Sequence, residues 1–211
     1  MIEIKHLKFK TILDIEHLQI DHDISCIVGG SGSGKTTLLR MLNRMSDPDE
    51  GTIFYQGKDI KLWNPTELRR NIVMLAQTPV MYHGNVEDNL QIGLRFSKRP
   101  PASQKRMKEY LEKMQLTLSL DQTVEKLSGG EKQRLCLARI MLMDASLYLL
   151  DEPSSALDKG TERFVMENMA TFAMEHHKQL IMVTHSEEIA KSYPDDILRI
   201  EHGQCRGYEH E

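Results

Sequence analysis

The sequence predicts an α/β fold: a mostly parallel core sheet covered on both faces, an N-terminal antiparallel β part, and an inserted α-helical block. Three observations predict it. Residues 24–44 read as a strand, a glycine-rich loop and a helix. Apolar strands and helical stretches alternate again towards the C-terminus, which favours a parallel sheet. Between these parts, about 85 to 135, the pattern is mainly helical and reads as an insertion.

The elements follow in order. Ile2–Leu7 and Ile12–Leu18 alternate apolar and polar residues, as half-buried antiparallel strands do. Ile24–Val28 is a strand that ends on Gly29-Gly30. A helix is expected from Lys35 to about Arg44, with Leu38, Leu39, Met41 and Leu42 packing inward. Ser46–Gly51 is a turn and Thr52–Tyr55 a short strand. Asn64-Pro65 places a capping side chain before a proline at the first helical position. Ile72–Ala76 is an apolar strand. Asn85 to Met143 is expected to be mainly helical, broken at Lys98–Pro101, with Ser103 capping a helix that carries Met107, Tyr110, Leu111 and Met114. Leu147–Leu150 and Leu180–Val183 are strands, and Thr161–His176 and Ser186–Tyr193 are helices. Ile197–Ile200 and Cys205–Tyr208 make a last hairpin around His202-Gly203.

Bulk properties narrow the function classes. The 211 residues, 40% hydrophobic and 27% charged, are enough for one domain with a real core. A net charge of −4 speaks against a dedicated nucleic-acid binder, so no nucleic-acid partner is expected. Cys26, Cys136 and Cys205 form no CxxC pair and read as buried free thiols of a reducing cytoplasm. No run of 18 apolar residues occurs, so any membrane role comes through another chain. The methionines, such as Met41, Met107, Met141 and Met169, fall on helices and read as core filler.

Two motifs carry chemistry on their own residues. Gly29-Gly30-Ser31-Gly32-Ser33-Gly34-Lys35-Thr36 fits GxxxxGK[ST] between a strand and a helix, followed by Thr37. Its glycines let backbone N–H groups curl around phosphates, and the helix N-terminus adds favourable partial charge. Lys35 is expected to reach the β- and γ-phosphates of ATP, and Thr36 to hold Mg²⁺. Leu147–Leu150 runs into Asp151-Glu152-Pro153. A parallel strand presents its C-terminal end to the ligand crevice. Asp151 is thus placed for Mg²⁺, and Glu152 to orient or deprotonate the attacking water.

Leu127-Ser128-Gly129-Gly130-Glu131-Lys132-Gln133-Arg134 resembles the signature motif of ABC ATPases along its whole length. The rest of the family pattern follows in order. Gln77 resembles the Q-loop glutamine, which meets Mg²⁺ and the water; Ser155–Asp158 resembles the D-loop, with Asp158 at the opposite subunit; His185 resembles the switch histidine near the γ-phosphate. The resemblance covers nearly the whole chain and implies a P-loop NTPase fold. It divides residues 1–211 into a nucleotide-binding core (1–84 and 136–211) and a helical signature subdomain (about 85–135). One departure stands out: where the family has an adenine-stacking aromatic, this chain has Phe9, Lys10 and Thr11, and Phe9 either stacks or faces the core.

The resemblance implies an ATPase that closes as a homodimer on two ATP molecules. The phosphate loop of each subunit then faces Ser128, Gly129 and Gly130 of the other. It implies a cytoplasmic protein, peripheral on the inner face of the cell membrane, that drives a separate transmembrane permease through the region Val80–Tyr82. Ala76-Gln77-Thr78-Pro79 followed by Gly84–Leu90 is similar to ATPases of bacterial two-component iron or metal exporters. Leu42-Asn43-Arg44-Met45 resembles phosphate-importer ATPases. A mechanical ATPase acting on a membrane partner without moving solute fits the same residues.

Overall fold

The computed structural model describes residues 1–207. The chain opens with two antiparallel strands, β1 (Ile2–Phe9) and β2 (Leu13–Ile20), whose alternating burial matches the period-two pattern. β3 (Ile24–Val28) then enters a second sheet and leads through the glycine loop into α1 (Lys35–Leu42). β4 (Glu50–Tyr55) returns to pair with β1, and β5 (Lys58–Asp59) closes a four-stranded sheet of order β2-β1-β4-β5. α2 (Pro65–Asn71) is capped by the Asn64 side chain, which accepts from Thr66 and Glu67 N–H, and β6 (Ile72–Leu75) follows.

Three helices separate β6 from the next strand: α3 (Val86–Phe96), α4 (Gln104–Lys113) and α5 (Gly129–Leu142). Ser103 caps α4 as expected, accepting from Arg106 N–H. The stretch 114–128 departs from the helical expectation. It is loop, with one 3₁₀ turn at Val124–Lys126 and an isolated bridge from Asn85 to Thr123. Its buried Leu116 and Leu120 flank a half-buried Leu118, a period of two that suits extended chain rather than helix. The sequence-based boundary at 135 falls inside α5, a single continuous helix.

β7 (Leu147–Asp151), α6 (Lys159–Glu175), β8 (Gln179–Val183), α7 (Glu187–Ser192), β9 (Asp196–Glu201) and β10 (Gln204–Gly207) complete the chain. The second sheet has the order β10-β9-β3-β8-β7-β6, parallel throughout except for β10 at its edge. The expected hairpin is present in β9 and β10; Tyr208 lies outside the described residues.

The parallel sheet is covered on both faces, so strands β3, β6, β7 and β8 are apolar at most positions. Leu147 and Leu149 face the antiparallel sheet and α1, in a core with Ile27, Ile181, Leu38 and Ile53. Tyr148 and Leu150 face the opposite core, built on α3 to α6 with Met107, Leu135 and Met169. Met41, Met107, Met141 and Met169 are all fully buried filler. All three cysteines are free; Cys26 and Cys136 are buried as expected, whereas Cys205 is half-buried, and burial pushes the Cys26 and Cys205 thiols up to about 12. Among the described residues, no helix is long and apolar enough to cross a membrane. This is the α/β architecture that the sequence predicts.

Candidate functional site

The glycine loop leaves the C-terminal end of β3, between β8 and β9, where parallel strands open onto a ligand crevice. Its tight path needs glycine at two walled-in positions. A Cβ on Gly29 would lie 2.2 Å from the Ile200 carbonyl oxygen. Gly34 has φ 104° and would press a Cβ to 2.6 Å from Leu13 Cδ2. Gly30, Ser31 and Gly32 are exposed, and Ser33 Oγ is buried with no hydrogen-bond partner. An orphaned hydroxyl in a loop aimed at the first turn of α1 fits an anionic ligand that supplies its partner.

Lys35 begins α1 and is buried, its Nζ donating to the Gly29 and Gly30 carbonyls, both at 2.8 Å. Burial lowers its pKa, and the carboxylates of Glu152 and Asp151 oppose that shift. Thr36 Oγ1 donates to Asp151 Oδ1 at 2.9 Å, across 115 residues of chain. Asp151 closes the buried strand β7; desolvation raises its pKa, while the Thr36 hydrogen bond and the charges of Arg40 and Lys35 pull it down. A hydroxyl and a carboxylate side by side are hard oxygen donors of the kind Mg²⁺ takes. Thr37 is half-buried one position further along α1.

Glu152 leaves the strand with φ 48°, a left-handed backbone that costs a non-glycine residue about 1 kcal/mol or more. Its N–H donates to the Val183 carbonyl at 2.9 Å, and its own carbonyl accepts from Ser155 N–H at 3.3 Å. The turn aims the carboxylate at two residues from neighbouring strands. Gln77 Nε2, just after β6, donates to Glu152 Oε2 at 2.8 Å. His185 Nε2, just after β8, lies 3.1 Å from Glu152 Oε1. The structure therefore gathers Lys35, Thr36, Gln77, Asp151, Glu152 and His185 at one end of the sheet.

Ser128, Gly129 and Gly130 stand apart from that cluster. Ser128 caps α5 in a reciprocal box: its Oγ accepts from Glu131 N–H, and the Glu131 carboxylate accepts from Ser128 N–H at 2.8 Å and from Ser128 Oγ at 2.8 Å. Those two Ser128 donors hold the Glu131 carboxyl below its ordinary range. Ser128 and Gly129 are exposed, and no hydrogen bond or ion pair joins them to the glycine loop among the described residues. Asp158 is also exposed; its side chain caps α6, accepting from Gly160 and Thr161 N–H and from Thr161 Oγ1.

Beside the loop lies a cleft of about 660 Å³, walled by Thr11, Ile12, Gly30–Ser33 and the β9–β10 turn around His202. Phe9 takes the second of its two expected orientations. It is half-buried against the core, with Lys10 Nζ 5.1 Å over its ring, and it does not line the cleft.

A second, apolar groove of about 380 Å³ opens between β6 and the helices, lined by Met45, Val80, Tyr82, Phe96, Ile140 and Met143 among others. Val80 (54% exposed), Tyr82 (39%) and Phe96 (61%) show large apolar surface there, and Tyr82 and Phe96 pack edge to face. Met81, within the same expected contact region, differs from its two neighbours: it turns inward and packs on the core. Two buried residues, absent from the sequence-based reading, hold this loop. Arg139 donates to the Val80 carbonyl, the Asn89 carbonyl and Asn89 Oδ1 at 2.7–2.8 Å, and its guanidinium lies 5.4 Å from the Tyr82 ring centroid. Asn89 exchanges two further bonds with the Tyr82 backbone.

A family profile described as "ABC transporter" matches residues 18–155. Carnitine transport ATP-binding protein OpuCA of Listeria monocytogenes is 35% identical over 191 residues, covering 89% of this chain and 48% of its own. The chain spans between 15% and 57% of the length of such curated relatives. A bacterial Atm1-family ABC exporter with ATP bound superposes with a TM-score of 0.86 at 28% identity, over 97% of this chain and 38% of that one. A dimeric ATP-binding cassette in a post-hydrolysis state, bound to ADP and Pi, superposes with a TM-score of 0.85 at 25% identity, over 99% and 98%.

Proposed function

This chain belongs to the ABC transporter family, and from that premise we propose that it binds and hydrolyses ATP and that dimer closure on ATP drives a separate membrane subunit. One observation carries the reading: the Thr36 hydroxyl and Asp151 carboxylate, 2.9 Å apart, adjoin a Glu152 carboxylate held by Gln77 and His185.

Lys35 exchanges the Gly29 and Gly30 carbonyls for the β- and γ-phosphate oxygens of ATP. Backbone N–H groups of Gly30–Gly34, with Ser31 and Ser33, wrap the remaining phosphate oxygens. Thr36, Asp151 and Gln77 would hold Mg²⁺, which would supply neutralising charge at the phosphates. Glu152 accepts a proton from the attacking water, and Gln77 and His185 fix where that water and the γ-phosphate stand. Catalysis is thus mostly positioning and charge stabilisation.

Ser128–Gly130 open a helix whose N–H groups suit an anion, yet they sit apart from their own phosphate loop. Two copies related by a two-fold axis place each signature on the other's nucleotide and complete two sites. The dimeric ATP-binding cassette superposed above supports this arrangement. Residues 1–211 act as one such cassette, with the block from about 85 to 135 as its signature-bearing part.

The groove at Val80, Tyr82 and Phe96 is the seat for the membrane subunit. It is apolar, exposed, and pinned to α5 by Arg139, so force on the groove reaches the signature helix. Resemblance of Ala76–Pro79 and Gly84–Leu90 to metal-exporter ATPases makes export of a metal ion the cargo and direction to test. A relative described as a sulfate/thiosulfate import ATP-binding protein, from Synechococcus elongatus, supports the alternative, import.

The test uses Glu152→Gln, which slows hydrolysis and holds the closed dimer. Its affinity capture with ATP and Mg²⁺ from detergent-solubilised native membranes is expected to yield a dimer with one multi-span protein. A dimer with only soluble companions would remove the membrane assignment. Wild-type turnover strictly proportional to enzyme concentration at every dilution would remove the composite site.

A further inference from the structure

The signature helix touches the turn that carries Glu152 through two residues on one face, Gly130 and Gln133, three positions apart. A Cβ on Gly130 would meet the Ala156 carbonyl oxygen at 3.2 Å and Leu157 Cδ2 at 3.3 Å, so the first turn of α5 rides directly on the segment after Glu152. One turn on, Gln133 is fully buried, and its Nε2 donates to the Pro153 carbonyl at 3.1 Å. Its Oε1 is buried and has no partner. A glutamine amide in an apolar core costs free energy unless both of its ends are satisfied, and here one end is not. Packing alone would favour leucine, as at neighbouring Leu135 and Leu137. An amide at this cost points to work at its one hydrogen bond, whose acceptor carbonyl belongs to the residue after Glu152.

We propose that Gln133 is a positioning residue that gears the signature helix to the catalytic carboxylate of its own subunit. Engagement of Ser128–Gly130 by the nucleotide in one composite site then sets the Glu152 turn in the other. The inference rests on the function proposed above. Gln133 itself touches no nucleotide; it acts through Pro153 and the left-handed turn at Glu152.

The test compares purified wild-type protein with Gln133→Leu and Gln133→Glu. Gln133→Leu keeps the volume and removes the donor. Its kcat is expected to fall roughly 10- to 100-fold, the range a small misplacement of catalytic groups gives, with affinity for a fluorescent ATP analogue unchanged. In Gln133→Glu an ionised carboxylate has no proton for the Pro153 carbonyl, whereas the protonated acid has one. The ratio of its kcat to that of wild type should therefore rise as pH falls. Wild-type kcat in Gln133→Leu, or a pH-independent ratio for Gln133→Glu, would overturn the proposal. So would loss of nucleotide affinity in step with kcat, or failure of both variants to fold, which would leave a packing role. Absence of turnover in wild type would instead overturn the proposed function and this inference with it.

Discussion

Around the glycine loop the functional side chains bond to one another or, for Lys35, to the loop that carries it. Lys35 holds the loop carbonyls, Thr36 holds Asp151, and Glu152 lies between Gln77 and His185. In the helical block between β6 and β7 the arrangement is reversed. There the buried polar residues, Asn89 and Arg139, hold backbone, while Ser128, Val80, Tyr82 and Phe96 end in solvent. The first region is assembled within a single chain, its side chains already joined. The second is shaped within a single chain, and its exposed groups are the ones proposed to meet another protein.

That contrast breaks first, and by the largest margin, if the signature acts inside its own subunit. Ser128→Glu places a negative charge where the proposed dimer brings a phosphate. Turnover is expected to drop about 10- to 100-fold, the scale of losing one group that stabilises transition-state charge. Nucleotide binding to the dilute single chain, read by a fluorescent analogue, should be unchanged; a parallel loss of that binding would erase the distinction between the two regions.

Next in size is the support beneath the docking groove. Arg139→Leu removes three charged hydrogen bonds and leaves Asn89 and the Val80 carbonyl buried without them, a loss of about 3 kcal/mol in urea unfolding. Capture of the membrane partner should fail along with it. A fully stable variant would mean that the loop's shape comes from Met81 and the core instead.

The smallest effect sharpens the comparison at the cap of α5. The Glu131 carboxyl is held below its ordinary value of 4.5 by Ser128 N–H and Oγ. A depressed carboxylate stabilises the fold above its unfolded pKa, and that contribution is lost as pH falls through the folded value. Glu131→Gln should thus be less stable than wild type at pH 7, by about 0.5 kcal/mol, and the gap should close at an acid pH, once pH has fallen through the lowered folded-state value. A gap of equal size at both pH values would assign the effect to shape, not charge.

Legibility in the sequence divides along similar lines. The glycine loop is a contiguous string whose spacing is its chemistry, and Asp151-Glu152 follow an apolar strand whose end is fixed by the parallel sheet. Both were therefore readable, as were the caps at Asn64 and Ser103. The meeting of Gln77 and His185 on Glu152 came only from family order; no local pattern places two residues, 75 positions before and 33 after, on one carboxylate. Residues 114–128 are polar with spaced leucines between two helices, and only the period of two at Leu116, Leu118 and Leu120 separates them from helix. Arg139 and Gln133 left no signal as buried polar anchors, since burial depends on Val80 and Pro153 arriving from distant strands. Met81 looked like surface because its neighbours are.

The glycine loop holds two classes of glycine that differ in what an added side chain would meet. Around Gly30 an added methyl group meets nothing within 4 Å, whereas at Gly29 and Gly34 it would collide with Ile200 and Leu13. An inherited alanine at Gly30 would leave the empty protein intact and be screened only when nucleotide arrives. The same change at Gly29 or Gly34 would be screened during folding, before any ligand is met. Homologous lineages that lose ATP binding but keep the scaffold should therefore shed Gly30 first and keep Gly29 and Gly34 longest.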